Sequence, residues 1–567
     1  MYMKKRVYSF VALMLALIMV LSACSDSGSN SSNNLGGNDS NTKETSDNAN
    51  SDNSDDGGLS APGELPISGD KISLAISTPR WPNTLSYEYG ENALTTWLQD
   101  QTNVEVKWNL LPDADKLQKL NLELSSGGDL GDIIMSDFGV DNSFLATYGS
   151  QNTLLPLEDL IEKHAPNIQK QFEQYPEIKT AVTAPDGHIY GLVEYGNCYN
   201  CNRAMRFWIN SDFLEELDME MPTTTEEFHQ YLKAVKEKDP NGNGEADEIG
   251  MTGSPKSWYA NVHQFILHAF RHFDGNGLYI RNDKVTAAYS TEEWREGLRY
   301  LNTLYKDGLI DPSAFTNDES QMKQTVELNN GNTVGAVAGG GQHVFAANEE
   351  TRKRYDIVLP LKGPDGFQSA FRNDYGMIGA YKFMIPASAK NPEAAIKWID
   401  FMYTEEPNAR GRYGVPGEHW EVPQGSVAAN GDTAKFRILG KDIWQEPQSA
   451  HWHGANHVWS RWGSDAREKL PEGQFDLETD LYEAAVAYDK YASKVSVPKF
   501  FFEPDNAMRY NELREALKKY YEAATADFIV GNRDVEKDWE TYISELKNIG
   551  VEEFIEIQQA EYDRNWK

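Results

Sequence analysis

The segment 239–248 carries oxygen-bearing side chains at alternate positions, with a glycine where a tight turn is needed. Ca²⁺ takes six to eight oxygen ligands, and this spacing can converge them from one short loop. The standard loop ends in a bidentate Glu; here that position is Gly250, so Glu248 would supply the carboxylate two residues earlier. We expect a structural calcium site rather than a surface turn. Its expected ligands are Asp239, Asn241, Asn243, Glu245 (through its carbonyl), Asp247 and Glu248.

A cysteine directly follows an apolar run near the N-terminus. Residues 4–6 are basic, residues 7–21 are mostly apolar, and Leu21-Ser22-Ala23-Cys24 comes next. The run is short for a membrane span and has the charge order of a secretory signal. Leu-Ser-Ala-Cys resembles the bacterial lipobox, so we expect 1–23 to be a lipoprotein signal peptide and Cys24 to carry acyl chains such as palmitate. An ordinary cleaved signal or an uncleaved anchor helix is the alternative.

Two other groups of residues could bind metal or undergo redox chemistry. A lone Cys198-x-x-Cys201 is weak evidence for a redox or zinc site, and a small structural disulfide or two inert thiols is the preferred interpretation. His451, His453 and His457 lie in the aromatic-rich stretch 451–462, without a partnering Cys or Asp pattern. An aromatic wall or a packed core is therefore favoured over a transition-metal site.

The charge balance is strongly acidic, with 53 basic and 87 acidic residues and a net charge of −34. Nucleic acids and anionic membrane surfaces need basic patches, so neither is an expected partner. Residues 25–60 are mostly Ser, Asn, Asp and Gly and cannot bury enough apolar surface to fold. We expect a disordered tether over 24–64, with structure from about Leu65. The remaining ~500 residues are too many for one core and suit two lobes.

The first part of the body alternates predicted strands and helices. Strands are expected at 71–76, 104–108 and 132–135, and helices at 92–101 and 113–124. This order predicts a parallel sheet with helices on both faces, in which ligands bind beyond the carboxyl ends of the strands. The loops 77–81 and 136–138 are therefore expected to line a ligand site.

The later elements are less regular. We expect strands at 205–209, 333–337 and 383–385 and helices at 212–217, 226–236, 291–306 and 392–402, with a largely helical tail from 478. The threonines before Glu226, and Thr291, have the residue type that caps a helix.

Three stretches resemble the extracellular solute-binding proteins of bacterial ABC importers. They are the lipobox with its polar tether, the run 206–217 with 221–228 and the loop 239–248, and the tail motifs at 537–542 and 560–564. The similarity is to the family 1 sugar-binding type, in particular its LipO-like and alginate-oligosaccharide-binding groups. It covers nearly all of the chain beyond the tether.

The resemblance implies an α/β, two-lobe periplasmic-binding-protein fold of type II, with hinge crossings and a ligand cleft between the lobes. Lobe 1 would contain 65–190 and 364–425, and lobe 2 would contain 191–363 and 426–567. The crossings are expected near 191–200, 359–363 and 416–426. The family's calcium loop resembles 239–248, which gives the six ligands named above the same role.

The function implied is that of the substrate-binding component of an ABC importer. A monomer, lipid-anchored on the extracellular face of the cell membrane, would capture a carbohydrate by lobe closure, deliver it to a membrane permease and catalyse nothing. The rivals are a secreted carbohydrate-active enzyme and a surface adhesin. The chain has no Gly-x-Ser-x-Gly, His-Glu-x-x-His or phosphate-loop motif, and none of the repeats typical of an adhesin.

Sugar binding requires aromatic faces and planar polar groups on loops of the cleft. For each aromatic residue, packing in a core is the alternative. The candidate ligand-binding residues are Arg80, Trp81, Asp137, Tyr195, Trp258, Tyr259, Gln342 and Trp420. Whether Arg80 or Arg206 selects an acidic sugar is left open at this stage.

Overall fold

A computed structural model of the chain describes residues 58–113, 115–135, 138–196, 199–372, 378–440, 443–453, 459–460, 466–493, 497, 502 and 504–566. The strands are β1 Ile72–Arg80, β2 Val104–Pro112, β3 Ile133–Met135, β4 Leu192–Gly196, β5 Phe207–Asn210, β6 Ile249–Thr252, β7 Leu278–Arg281, β8 Lys284–Ala287, β9 Val334–Ala338, β10 Tyr355–Val358, β11 Ile378–Met384, β12 Trp420–Glu421, β13 Arg437–Ile438 and β14 Trp459–Ser460.

The helices of the first half are α1 Ala93–Thr102, α2 Lys116–Ser126, α3 Asn142–Ser150, α4 Glu158–His164, α5 Pro166–Gln174, α6 Pro176–Val182, α7 Ser211–Glu216, α8 Thr225–Lys238 and α9 Val262–Leu267. Those of the second half are α10 Glu292–Lys306, α11 Glu319–Val326, α12 Gln342–Phe345, α13 Glu349–Arg352, α14 Pro392–Met402, α15 Glu405–Tyr413, α16 Leu477–Asp489, α17 Pro504–Val530, α18 Trp539–Ile549 and α19 Val551–Trp566.

The first sheet has the strand order β14-β4-β11-β3-β1-β2. β1 is parallel to β2 and β3, as predicted, whereas β11 runs antiparallel to β3 and β4. The sheet is therefore mixed. β1 continues to Arg80 because it pairs with β2 along its whole length, so most of the predicted loop 77–81 is strand.

The second sheet has the order β10-β5-β9-β6, with β6 parallel to β9 and β5 antiparallel to both of its neighbours. Each sheet has its own buried cluster of side chains. The first core includes Leu74, Ile76, Ile133, Trp398 and Trp452. The second core includes Phe207, Ile209, Phe228, Leu298 and Phe554. The fold is α/β, as expected.

The course of the chain differs from the predicted division into lobes. Residues 443–453 pack on the first core: Trp452 is buried there, and its indole N–H donates to Thr95 Oγ1 at 2.7 Å. β14 then joins the first sheet. The last passage toward the second core thus lies between β14 and α16, and not at 416–426. A buried indole needs both a cavity and an acceptor, and here Thr95 supplies the acceptor.

The N-terminal end of the described body is folded before Leu65. Leu59 pairs with Ser68, and Lys397 Nζ donates to the carbonyl of Ser60 at 2.7 Å. These contacts order Leu59 and Ser60, which we expected from the polar composition to belong to the disordered tether. The predicted signal peptide, Cys24 and the tether up to residue 57 lie outside the described residues.

Helix starts follow the predicted capping chemistry. Thr224 forms a capping box with Glu227 at α8, and the Thr291 hydroxyl accepts from the N–H of Trp294 at α10. α9 begins at Val262, after Trp258 and Tyr259, and Tyr259 has a left-handed φ of 49°. Across the described ranges, no helix combines the length and the apolarity needed to cross a membrane.

Candidate functional site

A column of aromatic rings lies at the carboxyl end of β1. The Trp81 ring centroid is 5.2 Å from that of His453, which stacks on Trp444 at 4.2 Å. Lys116 Nζ lies 4.7 Å from the Trp81 ring, and the Arg412 guanidinium lies 4.5 Å from that of Trp444. We call the rings of Trp81, His453 and Trp444 the aromatic column. All three residues are half-buried, and they lie at the strand end predicted to meet a ligand.

The stretch predicted as an aromatic wall divides between the column and the core. His453 belongs to the column, whereas His451 is fully buried and its Nδ1 lies 3.1 Å from the Gln448 amide nitrogen. His457 lies outside the described residues. Within the part of the chain that is described, no three His, Cys, Asp or Glu side chains form a metal-binding group.

A cavity of about 250 Å³ lies against the second core. Its aromatic lining consists of Tyr259, Phe273, Trp294, Phe371 and Tyr521. Its polar lining consists of His263, Gln264, Asp274 and Glu522. Typical ligand sites measure roughly 300–1,000 Å³, so this cavity has room for part of an extended ligand.

Three helices and the loop before β7 position most of these side chains. α10 supplies Trp294, α17 supplies Tyr521 and Glu522, and α9 supplies His263. The loop before β7 supplies Asp274, whose Oδ1 accepts the backbone N–H groups of Asn276 and Leu278 at 2.8 and 2.9 Å. Tyr521 stacks on Tyr289 at 4.2 Å. The lining is therefore held by packing and by local hydrogen bonds.

The cavity has unsatisfied hydrogen-bonding capacity. The Trp294 indole N–H and His263 Nδ1 are buried and have no hydrogen-bond partner among the described residues. Burial raises the pKa of Glu522 above its ordinary value and lowers the pKa of His263 to about 4. Buried polar groups without partners are rare in native proteins, and a bound ligand is one explanation for them.

Trp258 and Tyr259 lie in the loop after β6, and Gln342 is the first residue of α12, after β9. Trp258 covers Gly340, where a Cβ atom would be 2.2 Å from the indole ring, and its carbonyl accepts the Gly340 N–H at 3.0 Å. Gln342 is buried, and its Oε1 has no hydrogen-bond partner among the described residues. Of these three residues, only Tyr259 lines the cavity.

The arginines raised as selectors of acidic sugars occupy different environments. Arg206 is fully buried and donates to the carbonyls of Asn200, Gly340 and Leu481 at 2.8, 2.8 and 3.2 Å. It therefore connects three parts of the chain and is not presented to a solute. Arg80 is exposed at the end of β1.

Trp420 does not belong to either site. It is 5% exposed, packs with Tyr413 and Phe436 in a small cluster of its own, and donates its indole N–H to the Gly414 carbonyl at 2.8 Å. These contacts cover its ring, and it lines neither the cavity nor the aromatic column. Asp137 and the side chain of Tyr195 lie outside the described residues.

The loop 239–248 folds around its own side chains. Asp239 accepts the N–H groups of Asn243 and Gly244 at 3.2 and 2.9 Å, and the Asn241 amide donates to Asp247 at 3.0 Å. Asn329 also donates to Asp247, at 2.6 Å. The loop therefore brings the oxygen-bearing side chains of Asp239, Asn241 and Asp247 close to neighbouring polar groups of the same loop.

Glu248 is the buried carboxylate of this loop. It is 1% exposed, and its Oε1 has no hydrogen-bond partner among the described residues. Burial, and then the charges of Asp239 and Asp247, raise its pKa above the ordinary value. At Gly250 in β6, a Cβ atom would lie 2.5 Å from the Leu309 carbonyl oxygen, so a side chain does not fit there.

Cys201 is disulfide-bonded, in agreement with the preferred interpretation of the cysteine pair; its partner lies outside the described residues. It begins a short 3-10 helix between β4 and β5, beside Arg203. The Arg203 guanidinium pairs with Asp489 at the end of α16, with an Nε–Oδ1 distance of 2.9 Å. The passage from the first sheet to the second is thus attached to a C-terminal helix.

Sequence reasoning missed most of the cavity. Asp274 opens an Asp-Gly-Asn-Gly turn, a signal that could have been used. Trp294 and Glu522 lie within helices, where periodicity does not distinguish a residue that lines a cavity from one that packs in a core.

Comparison with known proteins places this architecture in a family. The model for "Bacterial extracellular solute-binding protein" matches residues 81–409, which is more than half of the chain. The chain belongs to this family of solute-binding proteins. It is therefore a binding protein and not an enzyme.

Individual solute-binding proteins resemble it over most of its length. The fructooligosaccharide ABC transporter substrate-binding protein FusA of Streptococcus pneumoniae is 28% identical over 505 residues, which are 86% of this chain and 88% of FusA. The structure of FusA in complex with kestose has a TM-score of 0.74 at 26% identity, and covers 87% of this chain and 99% of FusA. An EF-hand mutant of FusA, solved in complex with fructo-nystose, gives the same values.

Two Bacillus subtilis proteins match shorter stretches. Lipoprotein LipO is 26% identical over 345 residues, which are 58% of this chain and 64% of LipO. The polygalacturonan/rhamnogalacturonan-binding protein YtcQ is 23% identical over 337 residues, which are 57% of this chain and 62% of YtcQ. The similar solute-binding proteins therefore include binders of both neutral and acidic glycans.

Proposed function

We propose that the protein is the substrate-binding component of an ABC importer and captures an oligosaccharide outside the cell. The observation that carries this proposal is the cavity against the second core, where aromatic faces surround two carboxylates and a buried indole N–H without a partner. The similarity to FusA supports a glycan as the ligand.

The lining has the chemistry that sugar recognition requires. Sugar rings present C–H faces that pack on aromatic rings, and hydroxyl groups that both donate and accept hydrogen bonds. Asp274 and Glu522 can accept from hydroxyl groups, and the Trp294 indole N–H can donate to a sugar oxygen. The aromatic column beside Trp81 offers a second set of faces, on the first core.

The cavity lies on the second core and the aromatic column on the first, and this arrangement favours capture by closure of one core onto the other. A glycan that contacts both the cavity and the aromatic column gains its full set of contacts only when the two approach each other. Binding then shifts the equilibrium between open and closed forms. The closed form would deliver the glycan to a membrane permease, and the protein would act as a monomer.

Calorimetric titration with kestose and fructo-nystose tests the proposal. We expect saturable binding without turnover, and about fivefold to tenfold weaker binding by Trp294→Phe, which keeps an aromatic face but removes the N–H donor. Tyr89→Phe, on an exposed side chain, is the matched control and should bind as the wild type does. Failure to bind any member of a neutral and acidic glycan panel would refute the proposal, and turnover would support an enzyme instead.

We also propose that the loop 239–248 holds a structural Ca²⁺ ion. Asp239, Asn241, Asn243, the Glu245 carbonyl, Asp247 and Glu248 would supply its ligands. The buried Glu248 oxygen without a partner fits such a role, since a cation would offset the charges of the three neighbouring carboxylates. The EF-hand mutant of FusA is consistent with a cation site in this family.

Melting curves in calcium and in a chelator test the site. Calcium should raise the melting temperature of the wild type, and Glu248→Gln should reduce that rise because it removes a charged oxygen ligand. Glu237→Gln, an exposed carboxylate on α8, is the control and should keep the full rise. An equal rise in wild type and Glu248→Gln would exclude Glu248 as a ligand.

The anchor is a separate proposal. The lipobox resemblance supports a diacylglyceryl group on Cys24, which would hold the protein at the extracellular face of the cell membrane. Mass spectrometry of the mature N-terminus should find Cys24 as the first residue with acyl chains attached. An unmodified N-terminus would exclude the anchor and leave the proposed binding function intact.

A further inference from the structure

The charge of the cavity wall bears on which glycans it accepts. Asp274 and Glu522 both line it, and among the lining residues of the described chain none is Lys or Arg. The cation that acts electrostatically on Glu522 is Lys518, one turn earlier on the same helix, and it does not line the cavity. The described lining of the cavity therefore carries acidic and no basic side chains.

Asp274 is fixed in place, because its side chain accepts the backbone N–H groups of its own turn. Glu522 is the neighbour of Tyr521 on α17, and Tyr521 is stacked on Tyr289. Both carboxylates line the cavity. A uronate ring in the cavity would place a third carboxylate beside them, and like charges in a site of low dielectric constant repel strongly.

The remaining polar groups suit an uncharged ligand. The Trp294 N–H and His263 Nδ1, both buried and without a partner, can each make one hydrogen bond to a neutral hydroxyl or ring oxygen. Neither supplies the paired cationic donors with which proteins usually hold a sugar carboxylate.

On the basis of the proposed function, we infer that this cavity selects neutral oligosaccharides and rejects uronic-acid oligosaccharides, with Asp274 and Glu522 as the residues that determine the selectivity. Hydroxyl groups donate to the two carboxylates, whereas a uronate carboxylate is repelled by them. The two carboxylates thus select by repelling acidic sugars, in addition to the attractive contacts that neutral sugars make.

The test compares kestose with trigalacturonate, a neutral and an acidic trisaccharide, by calorimetry at one ionic strength. The wild type should bind kestose at least about tenfold more tightly than trigalacturonate. Glu522→Gln and Asp274→Asn keep the shape of each side chain but remove its charge, so each should lower that ratio severalfold. Asn at position 274 retains the oxygen that accepts the backbone N–H groups.

Glu512→Gln is the matched control, because it removes the same charge from an exposed position of the same helix. It should leave the ratio unchanged, which separates a local effect from the net charge of the protein. Tighter binding of trigalacturonate than of kestose by the wild type would overturn the inference and leave glycan binding established. An unchanged ratio in both cavity variants would overturn the role of these residues. If neither glycan nor any other binds, the proposed function itself fails.

Discussion

Arg206 shows how one residue can hold several parts of a chain together. Its buried guanidinium donates to carbonyl groups before β5, after β9 and within α16. Burial lowers its pKa to about 10, so it stays charged at neutral pH. A buried charge is costly unless hydrogen bonds satisfy it, and here backbone carbonyl dipoles do so.

Replacing Arg206 with Met should lower the free energy of unfolding by at least about 3 kcal/mol, since three buried carbonyl groups lose their donor. Arg281→Met, at an exposed position, should change it by less than about 0.5 kcal/mol. Denaturant unfolding of both variants measures the difference. Equal stabilities would show that water or a neighbouring donor replaces the guanidinium.

Sequence alone does not separate an exposed aromatic residue from a covered one. Trp81 and Trp420 are both predicted to lie on loops of the cleft, yet Trp81 belongs to the aromatic column and Trp420 is packed under Tyr413 and Phe436. The difference depends on contacts between residues that are distant in the chain, such as Trp81 and His453. The oxygen-bearing side chains at 239–248 lie within one short segment, so their spacing can be recognised from the sequence alone.

At the scale of elements, the loop after α9 supports the passage from the second sheet to the first. His268 Nδ1 lies 3.3 Å from Ser369 Oγ, and Ser369 donates to the His268 carbonyl at 2.9 Å. His272 is buried beside it, at a ring distance of 5.6 Å from His268. Burial, and then the charge of Arg271, lower the pKa of His272 to about 4.

This burial makes stability depend on pH. In the unfolded chain His272 takes up its proton near pH ~6.5, whereas in the folded protein it stays neutral until about pH 4. Proton binding therefore favours the unfolded state. As the pH falls from about 6.5 to 4, the free energy of unfolding drops by up to about 3 kcal/mol because of His272.

His272→Gln should flatten the loss of stability between pH 6.5 and 4. His188→Gln should act above pH 6.5 instead: a hydrogen bond to Glu158 raises the pKa of His188 in the folded state, so the stability from this pair is lost as the pH rises through that raised pKa. Unfolding in denaturant at several pH values gives both slopes. Parallel curves for wild type and His272→Gln would show that this histidine does not contribute.

Element types followed from local sequence more closely than element ends did. α14 begins and ends as predicted, because Pro392 fixes its first turn. β1 runs four residues beyond its predicted end at Ile76, since β2 pairs with it to the last residue. Pairing partners, which the sequence of one strand does not contain, set the length of a strand.

At the scale of the whole molecule, one ion pair joins the two cores. Arg514 on α17 lies 2.8 Å from Asp141, which also caps α3 through its other carboxylate oxygen. α3 packs on the first core and α17 on the second. The pair therefore links the parts that would move relative to each other during closure.

Asp141→Asn keeps an oxygen to cap α3 and removes the charge that holds Arg514. We expect a larger radius of gyration in the ligand-free protein and roughly twofold to fivefold weaker glycan binding, since a partly exposed pair contributes up to about 1 kcal/mol. Arg514→Gln should act in the same way, and the double variant should add little. Additive effects in the double variant would show that the two residues act independently.

The division of the chain between the two cores was only partly predictable. The switch from alternating strands and helices to a helical tail indicated two bodies, but the return of 443–453 to the first core depends on Trp452 and its acceptor Thr95, more than three hundred residues apart. No local pattern contains such a contact.

The position of the C-terminal helices determines the order in which the protein can fold. The described residues of the first core end at Trp452 and β14 adds the last strand of its sheet at Ser460, whereas at that point the second core still lacks Tyr542, Phe554 and Tyr562. Tyr542 donates to the carbonyl of Tyr289, so the second core cannot close until residues near the end of the chain arrive. Domains generally fold as units during synthesis, from the N-terminus onward. The half that carries the cavity is therefore the last to form, and its apolar surface stays open to chaperones for longest.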